Sequence, residues 1–144
     1  MAEVTVTQAL LVSVEEGYAA LTDLNGYENW LKIHQSWKSP IPAEGVTLGG
    51  QITEIVSVMG MANKIDWTVT ELDAPRAMSI EGVGMAGVKI KFTMSVAETP
   101  IGCDATIHAE FTGAMIVGPI GKAVAKSTQA DVEESLAALA ANLS

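Results

Sequence analysis

Gly118-Pro119-Ile120-Gly121-Lys122-Ala123-Val124-Ala125-Lys126-Ser127-Thr128, continuing through Val132 and Leu136 to Leu143-Ser144, reads as one long C-terminal helix. Pro119 suits the first helical position, where a missing N–H costs nothing, and Gly118 can serve as the N-cap. From there to Leu143 is roughly 37 Å at 1.5 Å per residue, enough to cross a small domain. The apolar stripe is uneven. Val132, Leu136, Leu139 and Leu143 recur at helical spacing and make a strong core face. The first half offers Ile120, Val124, Ser127 and Thr128 on that face, with Ala123 and Ala125 beside them. Leucines at one end and small residues at the other predict a lid over an incompletely filled interior.

What the lid covers is written upstream in period two. Gln51 to Val58 reads as a strand, and Asn63 to Leu72 alternates Ile65, Trp67 and Val69 with Lys64, Asp66, Thr68 and Thr70. Asp73-Ala74-Pro75-Arg76 is a turn, followed by a strand from Ala77 to Val83. Val88, Ile90, Phe92, Met94 and Val96 alternate with Lys89, Lys91, Thr93 and Ser95. Cys103, Ala105, Ile107, Ala109 and Phe111 do so with Asp104, Thr106, His108, Glu110 and Thr112. Consecutive alternating strands with short turns predict an antiparallel meander with one dry face. Before it, Val4 and Val6 mark a first strand. Ser13 with Glu16 has capping-box spacing for a helix ending near Asp23. Leu24 to Leu31 is a second short helix, and Pro40 and Pro42 break the extended segment from Ile33 to Trp37. The order is strand, two short helices, about six strands and a long helix: an α+β chain, read as a single domain over 1–144.

Composition excludes several classes. With 49% apolar and 17% charged residues, disorder does not fit. A net charge of −9 and a single arginine, Arg76, argue against nucleic acid and against anionic membrane surfaces. Cys103 is the one cysteine, so no disulfide framework or thiolate metal cluster is expected. Two histidines at unrelated spacings give no metal-ligand set, and no metal or cofactor is expected. No apolar run approaches 18 residues, and the start lacks a basic region followed by an apolar one. Neither a spanning helix nor a signal peptide is expected, and the default location is the cytoplasm.

The same order, with Ser13 opening the first helix, Asp23-Leu24 to Trp30, the Asp73-Ala74-Pro75-Arg76 turn and Gly118-Pro119 before the last helix, resembles the SRPBCC superfamily over essentially the whole chain. That superfamily includes START-like lipid-binding domains, plant abscisic acid receptors and polyketide cyclase/dehydrase-like proteins. The resemblance implies a helix-grip fold: a curved antiparallel sheet of six or seven strands around the C-terminal helix, with a cavity between them. Within the superfamily, the chain is most similar to small actinobacterial proteins, some labelled toxins of toxin–antitoxin pairs.

Three readings of function follow. The first is a protein, monomer or homodimer, that binds a hydrophobic small molecule such as a lipid, polyketide or isoprenoid. Trp30, Trp37, Trp67, Ile90, Phe92, Met94, Ile107, Phe111, Ile120 and Val124 would line its cavity, with Met85 and Met115 at the mouth and His34 or Lys122 for polar orientation. Met59, Met61, Met85 and Met115 fall in or beside turns, where flexible thioethers make adaptable walls. The second is a cyclase or dehydratase, which needs a titratable group facing the cavity; His34, which can act as a general base, and Glu54 or Glu81 are the candidates, strand parity not deciding which way either glutamate points. Asp66, a carboxylate that could orient His34, has the wet-face parity of its strand. The third is a toxin component acting through its surface. Lys122 and Lys126 early in the last helix oppose the helix dipole, which suits an anion at the helix start. Gly82-Val83-Gly84-Met85-Ala86-Gly87 fits a dinucleotide pattern in letters, yet a strand follows where the nucleotide loop requires a helix.

Overall fold

Strands of period two bury one face only, and the chain meets that constraint by curling its sheet around a helix. A computed structural model describes residues 2–84 and 87–143. Its strands are β1 (Ala2–Leu10), β2 (His34–Trp37), β3 (Gln51–Val58), β4 (Met61–Asp73), β5 (Ala77–Val83), β6 (Lys89–Thr99) and β7 (Gly102–Thr112). They form one antiparallel sheet in the order β1-β7-β6-β5-β4-β3-β2. Between β1 and β2 lie helix α1 (Val14–Thr22) and a 3₁₀ turn at Leu24–Asn29, and helix α2 (Gly118–Asn142) follows β7. This is the helix-grip arrangement that the resemblance to the SRPBCC superfamily implies.

The sheet wraps because its dry face must meet a single cylinder. α2 packs along β1 and also touches β3, the first and sixth strands across the sheet. Inward positions read Ile65, Trp67 and Val69 on β4, Ile90, Phe92, Met94 and Val96 on β6, and Cys103 through Phe111 at alternate places on β7. Gly82 on β5 is required there. A Cβ would stand 2.6 Å from Ile65 Cγ2 and 2.9 Å from Trp67 Cε3, so only glycine leaves those side chains room.

Local signals set the helices. Ser13 Oγ accepts from Glu16 N at 3.1 Å and donates to Glu16 Oε1 at 3.3 Å. Asp23 caps the 3₁₀ turn, its Oδ1 accepting from Asn25 N at 3.2 Å. α2 begins differently from expectation. Val117 holds the N-cap position with no side-chain bond to the first amides, and Gly118, at φ +54°, lies inside the helix bounds.

The inward stripe of α2 is Gly121, Val124, Thr128, Val132, Ser135, Leu136 and Leu139. Steps of three and four from Gly121 carry Ile120 and Ser127 off that stripe, so Ile120 is 51% exposed and Ser127 half-buried, against expectation. Ser135, fully buried, accepts from Lys32 N at 2.8 Å and donates to Asp131 O at 2.7 Å. Asn142 Nδ2 reaches Asn29 O at 3.4 Å. The leucine half of α2 is thus bonded to the connection between α1 and β2. Removing a fully buried leucine side chain there leaves a cavity the tied helix cannot close. Leu136→Ala should cost about 2–5 kcal/mol of unfolding free energy, and Ile120→Ala about 0.5 or less, read by urea denaturation.

Candidate functional site

Two features stand out inside the sheet, an apolar cavity at one end of the strands and a buried polar cluster further in. The cavity encloses about 260 Å³. Its walls come from the β3–β4 hairpin (Val58, Met59, Met61, Asn63 and Ile65), from the β5–β6 connection (Gly84, Val88 and Ile90), from Phe111 at the end of β7, and from Met115, Ile116, Ile120 and Val124 at the start of α2. Asn63 contributes the one polar side chain, and no ionisable group lines it among the described residues. The under-filled half of α2 is therefore where the space lies. Val124 is the buried α2 residue on its wall, while Leu136 and Leu139 lie in the core at the other end.

A second space of about 30 Å³, room for a water at most, lies between the 3₁₀ turn, β2 and the 45–52 segment. Trp37 and Trp67 border it, with Tyr27, Ile52, Met78 and Ile80. Trp67 and Phe92 stack at 5.4 Å, and Phe92 meets Phe111 edge-on at 6.4 Å. Of the residues expected to share one cavity, Ile90, Phe111, Met115, Ile120 and Val124 are together in the larger space. Trp37 and Trp67 belong to the smaller one. Trp30, Phe92, Met94 and Ile107 line neither, because they fill core volume against one another and against Tyr27. Met85 lies outside the described residues.

The polar cluster is His34, Glu54 and Trp67. Glu54 is 3% exposed, in register with Ile52 and Val56 on the dry face of β3. Its Oε1 accepts from Trp67 Nε1 at 2.8 Å, and its Oε2 takes a short hydrogen bond from His34 Nδ1. A carboxylate only accepts, so Nδ1 carries the proton. Trp37 packs on the imidazole at 4.8 Å between ring centres, and Tyr27 sits 6.1 Å away. Tyr27 donates to Leu21 O at 2.7 Å, and burial, then the Glu54 charge, drives its phenol far above the ordinary range. The carboxylate beside His34 is therefore Glu54. Asp66 faces solvent and accepts from Thr53 Oγ1 at 2.8 Å, and Glu81 is exposed on the outer face. None of His34, Glu54 and Glu81 lines either space.

Outside the sheet, the β1–β7 pairing sets Glu3 opposite Glu110, both near His108. His108 Nε2 stands 3.7 Å from Glu3 Oε1 and 3.8 Å from Glu110 Oε1, while Nδ1 meets Thr5 Oγ1 at 2.6 Å. Lys122 and Lys126 are exposed on α2 and share a shallow surface groove with Glu133. Gly82 to Gly87 joins β5 to β6, so a strand does follow the glycines.

A curled seven-stranded sheet gripping a C-terminal helix, with an apolar cavity beneath the helix start, defines the START-like class of helix-grip proteins. The chain belongs to the SRPBCC superfamily: residues 1–144 match the family described as polyketide cyclase / dehydrase and lipid transport. It is 37% identical over 122 residues to a Mycobacterium tuberculosis protein named a toxin, covering 85% of this chain and 84% of that one. A second M. tuberculosis protein is 32% identical over 136 residues, 94% of each chain. Among solved structures, a START superfamily protein from Mycobacterium smegmatis superposes with a TM-score of 0.78 at 17% identity, covering 100% of both chains. No helix among the described residues is long and apolar enough to cross a membrane.

The cluster predicts its own energetics. Glu54→Ala strands a buried indole N–H and a buried imidazole N–H, and should lose about 3–5 kcal/mol in urea unfolding. Glu54→Gln keeps an acceptor for Trp67 and should recover a substantial part of that loss.

Proposed function

We infer that the protein binds a hydrophobic small molecule under the first turns of α2. One observation carries this reading: the 260 Å³ space is walled almost wholly by apolar side chains and opens at loops rich in methionine. An engineered apolar cavity of about 150 Å³ takes benzene, so this one suits a ligand of one or two rings or a short acyl or isoprenoid chain. A ligand hiding roughly 200 Å² of apolar surface gains about 5 kcal/mol before ordering costs, which points to weak binding, roughly 0.2 mM at best. The family's description includes lipid transport, and the START-like fold of its structural neighbour agrees with an apolar occupant.

Proton-transfer chemistry has less support. The buried acid–base pair is His34 with Glu54, whose carboxyl holds Trp67 and which borders neither space. The toxin reading rests on the names of relatives. It would need an apolar surface away from the cavity, whereas Met59, Met61, Met115 and Ile120 are at the cavity itself.

The test is a displacement titration with an environment-sensitive apolar dye against short fatty acids, isoprenoids and aromatic polyketides. Val124→Phe fills the cavity and should weaken dye and ligand about tenfold or more, an overpacking the empty space tolerates. Thr70→Ala on the outer face should change nothing. Equal affinity in wild type and Val124→Phe would refute the assigned site.

A further inference from the structure

The net charge of −9 conceals a segregation that the fold makes meaningful. The cavity walls come from residues 58–65, from Gly84 and residues 88–90, and from residues 111–124. Together these hold three of the eight cationic residues, Lys64, Lys89 and Lys122, and none of the 17 acids. They carry +3, so the rest of the chain carries −12, from five cations and 17 acids. Behind the mouth, Lys89 and Lys91 share an outer groove with Asp66, Glu81 and Glu110, and Lys122 shares grooves with Glu3 and, beside Lys126, with Glu133. Lys64, Lys89, Lys122 and Lys126 are exposed, and no lysine forms a salt bridge among the described residues.

The same end is apolar. Of nine exposed large hydrophobic side chains among the described residues, Met59, Met61, Met115 and Ile120 line this cavity, and Val117 borders the neighbouring groove. Scattered exposed apolar residues need no explanation, but four at one opening form a patch. Apolar side chains at the tip with exposed cations behind them match the two forces at an anionic lipid surface. The side chains enter the headgroup layer, and the lysines meet the lipid charge within a Debye length.

We propose that the cavity mouth is a docking face for anionic bilayers, seating the protein with the start of α2 and the β3–β4 hairpin against the headgroups. This needs no ligand in the cavity, so it stands apart from the binding reading.

Co-sedimentation with vesicles tests it, using phosphatidylcholine alone and phosphatidylcholine with about one third phosphatidylglycerol; the anionic vesicles should bind about tenfold or more tightly, with the difference shrinking as salt rises. Combined Lys64→Glu, Lys89→Glu and Lys122→Glu should remove that preference. Combined Met59→Ser, Met61→Ser and Met115→Ser should weaken binding to anionic vesicles by a comparable factor. All six positions are exposed, and circular dichroism checks that both variants remain folded. Val124→Phe should bind vesicles as wild type does, even where it loses dye. Protein left in the supernatant with both vesicle types, as a surface built for a protein partner would give, overturns the proposal. So does equal binding to neutral and anionic vesicles, indifference to the lysine reversals, or loss of vesicle binding in Val124→Phe.

Discussion

Everything in this fold depends on how much side-chain volume α2 brings to the dry face of the sheet. Seven strands present a continuous apolar surface, and one helix must cover it. Where α2 offers Val132, Leu136 and Leu139, sheet and helix meet and nothing is left between them. Where it offers Val124 among small residues, a cavity remains against Ile65, Ile90 and Phe111. Curling the sheet cannot remedy this, because close packing against one end of a rigid helix fixes the axis for the other. The cavity is a consequence of composition along a single element.

The polar cluster shows the opposite arrangement. Glu54 is a carboxyl in a run that otherwise points apolar groups inward, and it is tolerated because Trp67 and His34 both donate to it. Burying a charge unpaired is far more costly than burying one with two good donors. The cluster fixes the Trp67 ring at the wall of the smaller space, with Phe92 stacked on it and Gly82 leaving room beside it.

The architecture was legible because its signals are local and periodic. Strict alternation from Val88 to Phe111, the Ser13 cap and the long final helix each fix an element without reference to the others. The site was legible only in part. The uneven stripe of α2 pointed to the end where the space lies, and Ile90, Phe111 and Val124 followed from strand and helix parity, whereas Ile120 lies off the inward stripe and Met115 was read from its place beside a turn. The tryptophans did not, because large aromatics read equally as wall or filling until their partners are known. Glu54 was hidden by β3, which carries Ile52 and Val56 on one parity and Ile55 on the other. No alternation rule decides which side is dry there; the pairing with β4 does. Asp66, with clean wet-face parity, was read correctly, and the carboxylate that meets His34 came from the neighbouring strand. Met59 and Met61 were read as adaptable walls from their place beside a turn, but which wall they form depends on the curl of the sheet, a long-range property no short window contains.

Ser135 carries a mechanical consequence. Its hydroxyl ties the middle of α2 to the Lys32 amide, and Asn142 ties the end to Asn29, while the first amides of the helix have no side-chain cap. The helix is thus tied by side-chain hydrogen bonds over its leucine half, whereas its start is seated by apolar packing such as that of Val124. The two halves of one rod are held by different forces.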